Sequence, residues 1–255
     1  MKDLEEVIGC PPEAFYEALL ANMPEWVTEG SLCLSDTRFL FDTVLKTGAN
    51  LAVEIGTGSG FSTSVLCHAL NFASQADMIP SNFHVVSYDA ATNYYADTSK
   101  RVGDATREQL SPELLKHITF RNPALASSLK QHHGNDDIEF LFNDADHAHP
   151  WPTLDMLATL DLLKHGAVVV LHDINLPIWC PEFQEWGAKY LFDGLDLEKS
   201  VPQEESVPNI GSIRIPEDKE SLRARLLEIL FAHEWHVDVG ADYLAQLGIT
   251  REGPA

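Results

Sequence analysis

Residues 51–66, LAVEIGTGSGFSTSVL, hold the strongest fold signal in the chain. A short apolar run leads into three glycines, Gly56, Gly58 and Gly60, and the chain then continues directly into a helical pattern. Glycine reaches left-handed backbone conformations and lets backbone N–H groups approach a ligand closely. The stretch therefore predicts a strand, a tight turn and a helix whose first amides face a ligand.

The spacing of these glycines separates the turn from two other ligand-binding turns. A dinucleotide-binding turn reads GxGxxG, whereas this chain has GxGxG with an acid, Glu54, two residues before the first glycine. The chain also lacks the GxxxxGK[ST] pattern of a P-loop at this place. A carboxylate beside the turn would repel a pyrophosphate and attract a cation. The pattern therefore favours a cationic ligand such as S-adenosylmethionine and disfavours an NAD-dependent dehydrogenase.

Strands and helices alternate on both sides of this turn. Apolar runs predict strands at 50–55, 83–88, 117–120, 138–142, 167–172 and 209–215. Helical patterns lie at 61–72, 98–110, 124–131, 153–164, 182–192 and 221–231. Such alternation implies βαβ crossovers and a doubly wound, mostly parallel α/β sheet.

Helical patterns also flank this alternation. Pro11-Pro12 precedes one helix, and Ser35 is placed to cap a second helix that ends at Gly48. We expect one domain with an N-terminal helical cap at 1–48, a ligand-binding core at 49–216 and a C-terminal helical extension at 217–255. The N-terminal helices are expected to form a lid or the surface of a homodimer.

Composition narrows the classes of partner and compartment. The chain has 255 residues with 39 acidic and 17 basic side chains, a net charge of −22. A field of this sign repels nucleic acid and anionic membranes, which leaves a small molecule as the expected partner. The cysteines form no CxxC pair, and the N-terminus has no apolar segment typical of a signal peptide. These features predict a cytoplasmic protein with reduced thiols (Cys10, Cys33, Cys67 and Cys180).

A second acid follows the second predicted strand. VVSYDA, residues 85–90, places Asp89 at the carboxyl end of that strand, where a carboxylate can accept hydrogen bonds from both ribose hydroxyls of an adenosyl group. The gap from the turn is wider than the roughly 20 residues of the dinucleotide fingerprint, and the polar segment 71–82 can absorb the excess as a loop. The alternative is that Asp89 caps a turn and that the glycines only tighten one.

Acids and histidines follow the fourth and fifth predicted strands. Asp144 and His147 come after the fourth, and His172 and Asp173 come after the fifth. Carboxylates at two adjacent strand ends can hold a divalent cation that lowers the pKa of an acceptor hydroxyl. Histidine, with an unperturbed pKa of about 6.5, suits a general base, for which His147 is the first choice and His149 the second. Alternatively, Asp173 caps a turn and the histidines line a metal-free pocket or loop.

Several of these segments resemble a known enzyme family. EIGTGSG followed by YDA resembles the cofactor half of class I S-adenosylmethionine-dependent methyltransferases. FLFNDADHAHP, VVVLHDI and NIGSIRI resemble segments of small O-methyltransferases related to the catechol, macrolide-sugar and cephalosporin-hydroxylase-like groups. The likeness covers about residues 48–216. It implies a Rossmann-like methyltransferase fold and methylation of a hydroxylated small molecule, as in secondary metabolism.

The resemblance also implies roles for single residues. Positions matching Asp144 and Asp173 bind a metal in the catechol-type relatives, whose third ligand falls on Ile174, which cannot serve. A Glu-Asp pair of the macrolide-sugar relatives matches His172-Asp173, so Asp144, His172 and Asp173 are the implied ligands of Mg²⁺, Mn²⁺ or Fe²⁺. A catalytic lysine matches His147, which with Asp144 forms the implied catalytic pair. The implied cofactor contacts are Glu54, Gly56, Thr57, Gly58, Gly60, Ser62, Asp89, Ala90, Ala124 and Asp144.

Two other functions stay open at this point. One is a metal-free methyltransferase or another enzyme that uses S-adenosylmethionine, and the other is a module that binds this cofactor without catalysis. The acids and imidazoles of DADH and LHD favour an enzyme, because a sensor has no need for them beside the acceptor.

Overall fold

A computed structural model describes residues 12–27, 31–250 and 253–254 of the chain. The strands are β1 (Leu51–Ile55), β2 (His84–Tyr88), β3 (Ile118–Arg121), β4 (Ile138–Asn143), β5 (Leu163–His172), β6 (Lys199–Ser200), β7 (Ile210–Arg214), β8 (Ile249–Thr250) and β9 (Gly253–Pro254). The α-helices are α1 (Pro12–Ala21), α2 (Leu34–Thr47), α3 (Phe61–Gln75), α4 (Asp104–Gln109), α5 (Pro112–Leu115), α6 (Trp151–Thr159), α7 (Leu176–Trp179), α8 (Gly187–Gly194), α9 (Lys219–Ala232) and α10 (Ala241–Gln246). A 3-10 helix spans Ala126–Gln131.

The strands form a seven-stranded sheet in the order β3-β2-β1-β4-β5-β7-β6 and a separate pair, β8-β9. Strand β1 runs parallel to β2, β2 to β3, and β4 to β5. Strand β7 is antiparallel to both β5 and β6. The predicted α/β class with a mostly parallel sheet is confirmed. The chain divides into two compact units, the first ending at Ala124 and the second beginning at Leu125, and the predicted boundaries at 48 and 216 stay predictions.

In the first unit, helices α1 to α3 share an aromatic core. Phe15 and Tyr16 of α1 pack edge to face against Phe41 of α2, which also contacts Phe72 of α3. The buried Tyr16 hydroxyl donates a hydrogen bond to Asp42 at 2.7 Å. These contacts hold α3, the helix that follows the glycine turn.

The start of α2 corrects the predicted capping residue. Cys33, not Ser35, is the N-cap: its Sγ accepts from the backbone N–H of Asp36, and the Asp36 carboxylate accepts from the N–H of Cys33. Ser35 lies inside the helix. Gly48 ends α2 in the left-handed conformation, as predicted. Residues 1–11, which include Cys10 and Pro11, lie outside the described residues.

In the second unit, the apolar strands β4 and β5 form the centre of the core. Residues from both strands are fully buried, and helices α6, α8 and α9 pack in the same unit. Two predicted helices are shorter than expected. The one predicted at 182–192 begins only at Gly187, since Gln184 has a φ of 53° that no α-helix contains. The one predicted at 153–164 ends at Thr159, because β5 already starts at Leu163.

The first unit contains a similar correction. The helix predicted at 98–110 begins at Asp104, because Gly103 before it has a φ of 78°. Within the described residues, no helix is long and apolar enough to cross a membrane.

Candidate active site

The glycine turn of the first unit needs glycine for two reasons. Gly56, Gly58 and Gly60 have φ values of 94°, 51° and 94°, all in the left-handed region. A Cβ on Gly60 would also lie 2.3 Å from Thr106 Oγ1. The Gly56 N–H donates to the carbonyl of Tyr88 at 2.8 Å, which ties the turn to the end of β2.

Glu54 at the end of β1 is fully buried and holds this turn together. Its carboxylate accepts hydrogen bonds from the hydroxyls of Ser62 (2.6 Å) and Thr63 at the start of α3, and from Ser87 on β2. The Thr57 hydroxyl in the turn bonds in turn to that of Ser87. The carboxylate therefore joins two strands to the helix start. Its predicted contact with a ligand ammonium group stays a prediction.

Asp89 ties the end of β2 to the same turn. Its carboxylate accepts from the backbone N–H of Gly58 at 2.9 Å and from that of Ala91 at 2.7 Å. The Asp89 carbonyl accepts from Ala124 N–H at 2.7 Å, and Ala90 is exposed. Each carboxylate oxygen can accept a further hydrogen bond, as from a ribose hydroxyl. The structure thus brings together the predicted cofactor residues of the first unit.

Five aromatic residues of the two units are in different environments: Tyr94, Tyr95, Trp151, Trp179 and Trp186. Tyr94 and Tyr95 approach the glycine turn, each with a ring carbon 3.9 Å from where a Gly58 Cβ would stand. Trp151 packs edge to face on Tyr243, and Trp186 stacks on Tyr190. Trp179 on α7 is 59% exposed, and Ile178 and Phe183 of the same segment are also exposed.

The second unit contains a cluster of two carboxylates and an imidazole at the ends of β4 and β5. His147 Nε2 lies 3.0 Å from Asp173 Oδ2 and 3.5 Å from Asp144 Oδ1. One potential ligand atom from each of the three residues lies within 4.8 Å of the other two. His147 Nε2 is buried and, despite these short distances, makes no well-aligned hydrogen bond with any described residue. The arrangement places a buried ring nitrogen beside two carboxylates.

Three further residues surround this cluster. His172 Nδ1 lies 3.0 Å from Asp144 Oδ1 and 3.3 Å from Asp173 Oδ2. The Asn209 side-chain amide donates to Asp173 Oδ1 at 2.6 Å. His147 Nδ1 lies 3.3 Å from Glu185 Oε2. Of the predicted ligands, the structure therefore groups Asp144 and Asp173 with both His147 and His172.

The backbone at Asp173 is unusual. Its φ is 57°, in the left-handed region that aspartate adopts more readily than most residues. Such conformations persist where the surrounding structure holds them, often at functional sites. The Asp173 carbonyl accepts from Leu176 N–H, and the Asn209 carbonyl accepts from Ile174 N–H, so the turn after β5 is fixed on both sides.

A known protein family matches the core of the chain. Residues 53–174 match the profile of a family described as a methyltransferase domain. The core of this chain therefore resembles a methyltransferase domain. This match agrees with the predicted S-adenosylmethionine-dependent methyltransferase of class I. No curated protein matches the sequence of this chain at a significant level.

Solved structures show the same fold at low sequence identity. Cofactor-bound Rv0187 from MTB has a TM-score of 0.56 at 17% identity, with 84% of this chain and 94% of that chain covered. An O-methyltransferase from Bacillus cereus in complex with SAH has a TM-score of 0.51 at 18% identity, with 84% and 92% covered. The O-methyltransferase TomG from Streptomyces achromogenes, involved in tomaymycin synthesis and in complex with SAM, has a TM-score of 0.52 at 15% identity, with 85% and 91% covered.

The charges in the carboxylate cluster shift the pKa values of its members. Burial disfavours the imidazolium form of His147, but three neighbouring carboxylates outweigh it and raise the pKa of His147 well above its usual value. Burial likewise opposes ionisation of Asp173, yet His172 and His147 hold its pKa well below the usual range. Without another cation, the histidine protons supply the positive charge that this cluster needs.

Two other histidines, His149 and His84, occupy other environments. His149, the second choice of base, is fully buried with Nε2 at 3.2 Å from the Leu230 carbonyl, and burial lowers its pKa to about 4. His84 Nε2 on β2 lies 2.8 Å from Thr119 Oγ1 on β3.

Sequence reasoning missed four residues of the site: Thr63, Ser87, Glu185 and Asn209. Ser87 precedes Asp89 in the quoted strand, and Asn209 opens NIGSIRI, so both lie in segments that were recognised for other reasons. Glu185 had no signal, since it stands 38 residues from His147 in a segment predicted as helix.

Proposed function

We propose that this methyltransferase transfers a methyl group from S-adenosylmethionine to a hydroxyl oxygen of a small molecule, with a divalent cation held by Asp144, His147 and Asp173. The observation that carries the cation is the convergence of two carboxylates and an imidazole within 4.8 Å of one another. The names of the Bacillus cereus and Streptomyces achromogenes structures, both O-methyltransferases, support oxygen as the acceptor. The net charge of −22 favours an acceptor other than nucleic acid.

On the cofactor side, the backbone of the glycine turn and Asp89 would bind S-adenosylmethionine. The Asp89 carboxylate has acceptor capacity left for the ribose hydroxyls after its bonds to Gly58 and Ala91. Glu54 would act mainly by holding the turn, and its negative charge also suits a cationic cofactor. The other implied contacts, Thr57, Gly60, Ser62, Ala90 and Ala124, follow from their places in or beside the turn.

The residues of the second unit fit a divalent cation. Nε2 of His147 is buried beside the carboxylates of Asp144 and Asp173, a position that suits a ligand atom. Imidazole combined with carboxylates suits Mn²⁺ or Fe²⁺ as well as Mg²⁺. When bound, such a cation would lower the pKa of an acceptor hydroxyl. Asp144 and Asp173 would bind it, His172 would orient Asp144 through their contact, and Asn209 would orient Asp173.

This assignment changes the proposed role of His147. A general base must accept a proton, and the carboxylates that raise the pKa of His147 favour its protonated form. A bound cation would take the place of that proton, since metal ligation requires the neutral imidazole. We therefore favour His147 as a ligand over His147 as the base of a metal-free reaction.

The test uses purified protein and a panel of hydroxylated aromatic and aliphatic acceptors. Product is detected by mass spectrometry as a mass gain of one methylene together with formation of the demethylated cofactor. We expect turnover to stop on treatment with a chelator and to return on addition of Mg²⁺ or Mn²⁺. Turnover that is unaffected by the chelator would reject the cation, and failure to bind the demethylated cofactor in calorimetry would reject the cofactor assignment.

A further inference from the structure

The two ring nitrogens of His147 face different kinds of partner. Nε2 faces the carboxylates of Asp144 and Asp173, at 3.5 Å and 3.0 Å. Nδ1 faces a third carboxylate, Glu185 Oε2, at 3.3 Å. Glu185 does not belong to the group of residues whose atoms could hold a cation together.

The chain fixes Glu185 at this place through its backbone. Two residues later, the Gly187 N–H donates to the His147 carbonyl at 2.8 Å. A Cβ at Gly187 would lie 2.6 Å from that same oxygen, so only glycine allows this approach. The start of α8 is therefore held against the loop that carries His147. This contact determines the position of the Glu185 side chain relative to the imidazole ring.

The chemistry of the pair defines the direction of its hydrogen bond. An ionised carboxylate only accepts hydrogen bonds, so the Nδ1–H of His147 must donate to Glu185. In a neutral imidazole, a proton fixed on Nδ1 leaves the lone pair on Nε2. Metal-binding histidines commonly have such a carboxylate behind them, which fixes both the tautomer and the orientation of the ring.

We propose that Glu185 is a positioning residue that holds His147 with Nδ1 protonated, so that Nε2 completes a divalent-cation site with Asp144 and Asp173. This inference rests on the cation of the proposed function. It assigns Glu185 no contact with the cation or with the acceptor.

The experiment measures cation affinity directly, without turnover. Apoprotein is titrated with Mn²⁺ in a calorimeter and with Co²⁺ by visible absorption, for the wild-type chain, Glu185→Ala, Glu185→Gln and the control Glu182→Ala. Glu182 is an exposed acid in the same segment, so its loss changes the net charge equally. We expect Glu185→Ala to weaken binding about 10- to 100-fold, the range typical for loss of such a partner. Glu182→Ala should change it less than about twofold, as expected for a screened surface charge.

Glu185→Gln keeps the size of the side chain and an oxygen that accepts from Nδ1–H, so it should retain most of the affinity. It also keeps the test valid if the alanine variant folds poorly, which thermal unfolding would reveal. Equal affinities of Glu185→Ala and wild type would overturn this inference alone, as would equal losses in the Glu185→Ala and Glu182→Ala variants. A wild-type protein that binds neither cation would overturn both this inference and the cation of the proposed function.

Discussion

Replacement of the buried Asp155 by asparagine should stabilise the protein increasingly as the pH rises. Asp155 lies in α6 and is 5% exposed. Burial and then the charge of Asp146, offset in part by Asn143, raise the pKa of this carboxyl from 3.8 to about 7. The site is outside the carboxylate cluster, so the variant tests stability and not catalysis.

The sign and size of the effect follow from the shifted titration. Between these two pKa values the folded chain holds a proton that the unfolded chain has lost, so this contribution to stability is complete below about pH 4 and is lost as the pH rises to about 7. Asparagine mimics the protonated carboxyl at every pH. Between pH 5.5 and 8.5 the free energy of unfolding of Asp155→Asn should therefore rise by about 2 kcal/mol relative to wild type.

Urea denaturation followed by circular dichroism measures this difference, with pH values kept above the isoelectric point of about 4.7. The control is Asp196→Asn, which neutralises an exposed aspartate in the same unit and should show a difference that is flat with pH. A stability gain of Asp155→Asn that stays constant within about 0.5 kcal/mol from pH 5.5 to 8.5 would refute the reasoning, because a neutral side chain would then replace a carboxyl that titrates normally.

Two further substitutions test the site. Gly60→Ala places a Cβ 2.3 Å from Thr106 Oγ1 at a φ of 94° and should lower the free energy of unfolding by about 2–4 kcal/mol. The control Gly48→Ala has nothing within 4 Å of its Cβ and should lower it by only about 1–2 kcal/mol. Equal losses in denaturation curves would contradict the packing argument. Asn209→Ala removes the donor to Asp173 Oδ1 and should lower the free energy of unfolding by about 1–3 kcal/mol. It should also weaken Mn²⁺ binding in the calorimetric assay described above. Unchanged stability and binding would show that the contact does not orient the carboxylate.

The cofactor half was readable from sequence because its signals are local. The strand, the GxGxG turn and the start of α3 lie within sixteen residues, and the backbone conformation of each glycine follows from its own lack of a side chain. Asp89 was predicted from its place at a strand end, and the structure confirms that place. The contacts of Glu54 could not be predicted from the sequence, because Ser87 reaches Glu54 from a different strand.

The second unit was harder to predict because its contacts join residues far apart in sequence. Glu185 and Asn209 reach His147 and Asp173 from 38 and 36 residues away, so no spacing pattern connects them. The helix predicted at 182–192 concealed the role of Glu185, since apolar periodicity does not reveal the turn at Gln184.

The buried hydroxyl contacts of Glu54 affect how quickly the glycine turn would bind the proposed cofactor. Hydrogen bonds to the Glu54 carboxylate connect β1, β2 and the start of α3. The backbone N–H groups around residue 58 are therefore in position before a ligand binds. Binding to this preformed turn needs no slow ordering step. The observed rate constant of binding in stopped-flow experiments should therefore increase linearly with ligand concentration. A plateau at high concentration would locate the slow step in another segment that closes after contact.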